Sequence, residues 1–311
     1  MFHHVLVPLD GSVRAERALP VAAQIARATD GSLLLVRVVS SPIDYSGGLP
    51  PIPVMNEQVI ESEMQVAADY LTAIAARPLL AGIEIATEVL FGFPAQQLSE
   101  AARMQGSDLI VLCSHGRTGF ARWALGSVAR TLVHQSTTPV LVLRQEKELA
   151  HVEPARPLCT LVPLDDSPLA EAALAPAQAL TEALAAPGRG ALRLVQVVKA
   201  FQSTAAEGFI SELNEEAFRL ARSYLAAVVR RVESEVTERT PEVTSSVARA
   251  PDVVSALLDA AEQEGAGGCD LIAISTHGRG GLERWVMGSV TERLLNASRF
   301  PILIVRPQRQ G

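Results

Sequence analysis

Two stretches of the chain, 162 positions apart, carry the same residues suited to holding an anion. The first reads His115-Gly116-Arg117, Arg122-Trp123 and Gly126-Ser127-Val128, and closes with Pro139 before Val140 to Leu143. The second reads His277-Gly278-Arg279, Arg284-Trp285 and Gly288-Ser289-Val290, and closes with Pro301 before Ile302 to Val305. Nine residues separate Gly116 from Gly126, and nine separate Gly278 from Gly288. Without a Cβ these glycines can expose backbone N–H groups to a polyphosphate. Ser127 and Ser289, as N-caps of the helices that follow, would add free N–H donors and a partial positive charge. Arg117 and Arg279 can reach phosphate oxygens from the loop, whereas Arg122 and Arg284 read as solvated loop charges. His115 and His277 suit a general base, but no partner nucleophile is assignable, which favours a loop-stabilising hydrogen bond. Trp123 and Trp285 sit in apolar surroundings and are expected to pack.

A second duplicated feature begins each half. Val5-Leu6-Val7-Pro8-Leu9-Asp10-Gly11-Ser12 matches Leu161-Val162-Pro163-Leu164-Asp165-Asp166-Ser167, with Asp10 and Asp165 lying 155 apart. Each aspartate suits either a ribose hydroxyl or a water-bridged Mg²⁺, or an Asx-turn cap on the next helix; the residues leave both open. Cys113 ends the fourth strand just before the glycine loop. As a nucleophile it has no counterpart, because Ser275 stands there in the second half, so a small buried residue is the better reading. Asp108 and Asp270 enter strand four at the opposite end and are expected to be structural. There is no GxxxxGK[ST], no GxGxxG after strand one, no GxSxG and no HExxH, which argues against the corresponding nucleotide and hydrolase chemistries.

The elements that must position these residues follow a β-α-β alternation. Apolar runs at Leu33 to Val39, Ile83 to Leu90 and Asp108 to Leu112 are separated by helical stretches at Ala15 to Ala28, Asn56 to Ala76 and Ala95 to Gln105. The second half repeats the series, with strands at Leu192 to Val198, Val243 to Ala248 and Asp270 to Ile274 and helices at Leu169 to Leu184, Glu212 to Val236 and Val253 to Glu264. Near-continuous apolar strands alternating with helices of ten or more residues predict parallel sheets buried on both faces. Pro42 to Pro53 and Ser203 to Gly208 read as surface loops, and Gln145 to Pro157 as a linker. The chain is therefore expected to hold two tandem doubly wound α/β domains, at 1–146 and 156–308, each a five-stranded parallel sheet with helices on both faces. Ligands of such sheets sit beyond the carboxyl ends of the strands, where the strand order reverses.

Bulk composition narrows the function classes. With 311 residues, 48% hydrophobic and 20% charged, the chain suits two ordinary soluble domains. A net charge of −7 argues against a nucleic-acid partner that relies on phosphate neutralisation. Three widely spaced cysteines with no CxxC argue against a disulfide framework or zinc site and fit a reducing cytoplasm. The N-terminus has no secretory pattern, and no apolar run is long enough to span a bilayer.

On these residues the chain resembles two universal stress protein domains fused in tandem, over nearly its whole length. Nucleotide-binding members of that family carry Gly-x2-Gly-x9-Gly-Ser/Thr after strand four. Here Gly116, Gly126 and Ser127, and again Gly278, Gly288 and Ser289, match the second and later elements, while Cys113 and Ser275 replace the leading glycine. The resemblance implies a Rossmann-like fold of the adenine nucleotide alpha hydrolase type. It implies nucleotide contacts from Pro8, Asp10, Val38, Cys113, Gly116, Arg117, Gly126, Ser127 and Val128. In the second half the matching positions are Pro163, Asp165, Val197, Ser275, Gly278, Arg279, Gly288, Ser289 and Val290. A Gly-x-Pro turn after strand three is matched by Gly92 and Pro94, but only by Ala250-Pro251 in the second half, which favours the first site. Family members usually dimerise through the last strand, so Val140 to Leu143 and Ile302 to Val305 are expected to pair within one chain, with further homodimerisation left open.

The function expected on this basis is an ATP-binding, stress-responsive regulator with up to two sites, acting through conformation or an unknown protein partner. Two rivals remain: slow Mg-dependent ATP hydrolysis with His115 or Asp10 positioning water, and an adaptor role with vestigial sites.

Overall fold

A computed structural model describes residues 1–40, 57–114, 125–144, 149, 156–199, 207–234, 240–263, 267–276 and 287–307. The chain divides into two compact units, Met1–Val140 and Leu141–Gly311.

The first unit opens with β1 (His4–Pro8), whose three central residues are buried because the strand lies inside the sheet. The helical stretch expected at Ala15 to Ala28 is two pieces, α1 (Val13–Glu16) and α2 (Ala18–Thr29). Pro20 lacks an N–H for the Glu16 carbonyl, so the helix cannot run through, and Arg17 marks the joint. β2 (Ser32–Val39), α3 (Glu57–Ala75), β3 (Glu84–Phe91), α4 (Pro94–Met104) and β4 (Leu109–Cys113) follow. α5 (Ser127–Gln135) follows, and the unit ends at Val140, the first residue of β5 (Val140–Leu143). β1 pairs in parallel with β2, with Leu6 opposite Leu34, and with β4, with Leu6 opposite Ile110. β3 pairs with the far side of β2.

The second unit repeats the plan. β6 (Cys159–Leu164) leads into α6 (Pro168–Glu171) and α7 (Leu174–Ala185), separated for the same reason, since Pro176 cannot donate back to Ala172. β7 (Ala191–Val198), α8 (Glu207–Ser234), β8 (Glu242–Arg249), α9 (Val253–Glu262), β9 (Leu271–Ser275), α10 (Ser289–Ala297) and β10 (Ile302–Val305) follow. The order is β8-β7-β6-β9-β10, all parallel.

The sheets' burial explains their composition. β4 and β9 are buried along almost their whole length and read LIVLC and LIAIS, whereas β3 and β8 are largely exposed and carry Glu84, Glu88, Glu242 and Arg249. Charged outer strands are poor templates for further pairing. At the amino ends of the strands, Asp108 accepts the His3 and His4 N–H groups at 2.9 and 3.0 Å. Asp270, almost fully buried, accepts the Cys159 N–H at 2.9 Å and both arms of the Arg156 guanidinium. The structural role expected of both aspartates is thus a clamp on the start of the central strand. Cys159 and Cys269, 110 residues apart, are reduced, buried neighbours with sulfurs 3.1 Å apart.

No helix among the described residues is long and apolar enough to cross a membrane.

Candidate functional site

In each unit the strand order reverses at the first strand, because β2 flanks β1 on one side and β4 on the other, as β7 and β9 flank β6. The turn after the first strand and the end of the fourth therefore lie side by side at the carboxyl edge.

The first turn is built from Pro8, Leu9, Asp10 and Gly11. Leu9 N–H donates to the Val36 carbonyl at 2.8 Å, which continues the β2 ladder past Pro8. Asp10 Oδ1 accepts the Ser12 N–H at 2.9 Å, an Asx turn, and Ser12 Oγ accepts the Ala15 N–H as N-cap of α1. Of the two roles left open for Asp10, the Asx-turn role is therefore present in the fold. The chain then needs a left-handed residue, supplied by Gly11 at φ +83° and, in the second unit, by Asp166 at φ +64°. Asp165 differs from Asp10 in accepting the Ser167 hydroxyl at 2.6 Å, while Ser167 Oγ caps α6 through the Ala170 N–H.

At the fourth strand, the caps are not the serines. Gly126 is the N-cap of α5, extended at φ −58° and ψ 154°, and its carbonyl accepts the Arg130 N–H at 2.8 Å. Gly288 does the same for α10 through Glu292 N–H at 3.0 Å. Ser127 and Ser289 are first helical residues with exposed side chains, followed by half-buried Val128 and Val290. The glycine N–H groups are also committed: Gly126 donates to the Ser114 carbonyl at 2.7 Å and Gly288 to the Thr276 carbonyl at 2.8 Å. This short bridge folds the loop's end back onto strand four. A Cβ on Gly288 would stand 3.2 Å from the Thr276 oxygen, which accounts for glycine there. The donors left for an anion are the first-turn amides from Ser127 and Ser289 onward.

Cys113 and Ser275 close the fourth strands, Cys113 partly exposed and Ser275 buried. Burial pushes the Cys113 thiol up to about 12, with Arg17 opposing and Asp10 reinforcing the shift. Cys113 should therefore resist alkylation at pH 8 in the native chain and react fully once unfolded, as peptide mapping after iodoacetamide would show. Complete native labelling within minutes would contradict this. Val38 and Val197, at the ends of β2 and β7, are half-buried, opposite Leu90 and Ala248. His115, Gly116, Arg117, Arg122 and Trp123 lie outside the described residues, as do His277, Gly278, Arg279, Arg284 and Trp285.

Several groups at this edge escaped the motif reading. Glu16 on α1 accepts the Tyr70 hydroxyl at 3.0 Å and the Arg77 guanidinium at 2.8 Å, tying α1 to α3. Glu171 accepts Tyr224 at 2.8 Å and also Arg231, tying α6 to α8. Burial, then the glutamate, hold both phenols above their ordinary range, so they remain donors. The signal was available, since the glutamates are 155 apart, like Asp10 and Asp165, and the tyrosines and arginines 154. Arg37 is a further addition. Its guanidinium lies 5.0 Å over the Tyr70 ring and 3.5 Å from where a Gly11 Cβ would be.

The model of the universal stress protein family matches residues 1–144 and again 160–306. A universal stress protein of Mycobacterium tuberculosis is 26% identical over 314 residues, covering 98% of this chain and 97% of that protein. One from Methanocaldococcus jannaschii is 32% identical over 150 residues, 48% of this chain and 85% of its own length. Among solved structures, a universal stress protein from Archaeoglobus fulgidus superposes with TM-score 0.69 at 19% identity, covering 98% and 99% of the two chains, which shows a shared fold. Matched twice along its length, the chain belongs to the universal stress protein family and carries that family's domain in tandem.

Proposed function

We propose that the chain is an adenine-nucleotide-binding regulatory protein of the cytoplasmic stress response, built from nucleotide domains at 1–146 and 156–308. ATP, with or without Mg²⁺, occupies the carboxyl edge, orders the glycine loops and changes which protein partner is engaged. One observation carries this reading. In both units a glycine-capped helix is bridged to the end of the fourth strand, next to the central strand whose following turn carries an aspartate, so first-turn amides and an aspartate share one carboxyl edge. Phosphate suits the amides, ribose hydroxyls suit Asp10 and Asp165, and the backbone ends at Val38 and Val197 suit a flat base. Pro8 and Pro163 line the turn, while Cys113 and Ser275 form its floor. Gly116 with Arg117, and Gly278 with Arg279, supply the outer loop.

Calorimetric titration of the full chain with ATP, with and without Mg²⁺, tests this. Saturable binding at one or two sites per chain is expected, and heat no greater than dilution would refute the proposal.

A further inference from the structure

The two crevices share their scaffold but not their charge. In the turn after the central strand, Gly11, Arg14 and Arg17 of the first unit correspond to Asp166, Leu169 and Ala172 of the second. On the second strand Arg37 corresponds to Gln196. In the first turn of the glycine-capped helix Arg130 corresponds to Glu292, the residues whose N–H groups bond the capping glycines. Four arginines on one side thus face none on the other, where two carboxylates are added. Arg37 is half-buried and lies against Gly11, and the exposed Arg17, at the joint of α1 and α2, acts through its charge on the Cys113 thiol at the end of β4. Gln196 is buried, and its side-chain oxygen has no hydrogen-bond partner, so it offers an acceptor where the first unit offers guanidinium donors. A phosphate oxygen accepts only, and at this position it meets a neutral amide in place of a charged guanidinium.

The second unit does carry cations of its own nearby, Lys199, Arg249 and Arg293, where the first has Ser40, Phe91 and Thr131. They do not restore the balance at the switch point. Arg249, at the end of the outer strand β8, is paired with Glu215 and Arg293 with Asp252, while Lys199 lies three residues beyond Gln196, just past the end of β7. A carboxylate at Glu292 also takes up the favourable field of the helix start that a phosphate would otherwise use.

We propose that the units divide adenine ligands by charge: the first selects polyphosphates, with Arg17 and Arg37 as specificity-determining residues, and the second takes adenosine or its monophosphate. The division rests on the nucleotide reading above and assigns a ligand class to each half of it.

The test titrates the full chain with ATP, AMP and adenosine, and repeats the series with Arg17→Ala combined with Arg37→Gln. These substitutions import the second unit's own residues into the matching positions, so the fold has a precedent for both, and thermal denaturation checks it. One tight ATP site per chain is expected, together with a second site that ranks AMP or adenosine above ATP. The double variant should lower the ATP-to-AMP affinity ratio of the first site at least tenfold. The converse set, Asp166→Gly, Ala172→Arg, Gln196→Arg and Glu292→Arg, should raise ATP stoichiometry towards two. Two equivalent ATP sites, or an unchanged ratio in the double variant, would overturn the division while leaving nucleotide binding intact. Absence of binding by all three ligands would remove both.

Discussion

Replacing Gly126 by aspartate is expected to weaken ATP binding by the first unit at least a hundredfold while leaving the fold in place. Gly126 has backbone angles open to any residue, and the preference for aspartate at a helix N-cap offsets a tight Cβ approach of the kind met at Gly288, so stability should change by no more than about 2 kcal/mol. The new carboxylate would stand where the phosphate is to meet the helix start. Two like charges about 4 Å apart repel by about 4 kcal/mol at an effective dielectric of about 20. After screening, about 2.7 kcal/mol of that suffices for a hundredfold loss. Gly126→Asn, with the same shape and no charge, should retain most of the affinity. Titration calorimetry beside urea denaturation separates the two effects, and ATP affinity within threefold of wild type in the aspartate variant would refute the placement of phosphate there.

The largest stability loss is expected at Asp270. Its carboxylate is buried and receives three hydrogen bonds, two from Arg156 and one from the Cys159 N–H. Asp270→Ala strands a partly covered guanidinium and a buried amide together. Severing a buried pair costs about 3–5 kcal/mol, and the partial exposure of Arg156 sets the expectation near the lower end, about 3 kcal/mol. Asp108→Ala, in the first unit, removes only two backbone contacts near the surface and should cost about 1 kcal/mol. Chemical denaturation of the two variants would check the contrast, and equal losses would show that the Arg156 pairing contributes nothing.

Much of the fold was legible because duplication wrote it twice. Strand positions followed from apolar runs set between helical stretches. The errors were local and have local causes. Single helices were expected at Ala15 to Ala28 and Leu169 to Leu184, although Pro20 and Pro176 each remove the one N–H that would carry the helix through. Serine's general preference for the cap pointed to Ser127 and Ser289, but the bridge from Gly126 to Ser114 sets the start one residue earlier. The contact between Cys159 and Cys269 depends on parallel pairing of β6 with β9 and leaves no trace in spacing. At the site, motif matching found what the halves share and passed over what they do not. Arg17, Arg37 and Arg130 became visible only when equivalent positions were set side by side on one frame. The glutamate–tyrosine–arginine ties were missed for a different reason, since their members lie on separate helices more than fifty residues apart.

Those ties make the turn after each central strand an interchangeable cassette. Residues 10–17 and 165–172 are eight-residue segments that open with aspartate, cap with serine, bury an alanine and anchor through glutamate to the same tyrosine–arginine pair. The flanking residues and the kind of anchor are common to both, so the segments differ in the charges they present and not in how they are tied down. The protein thus carries, in one chain, both a module and the spare part that fits it.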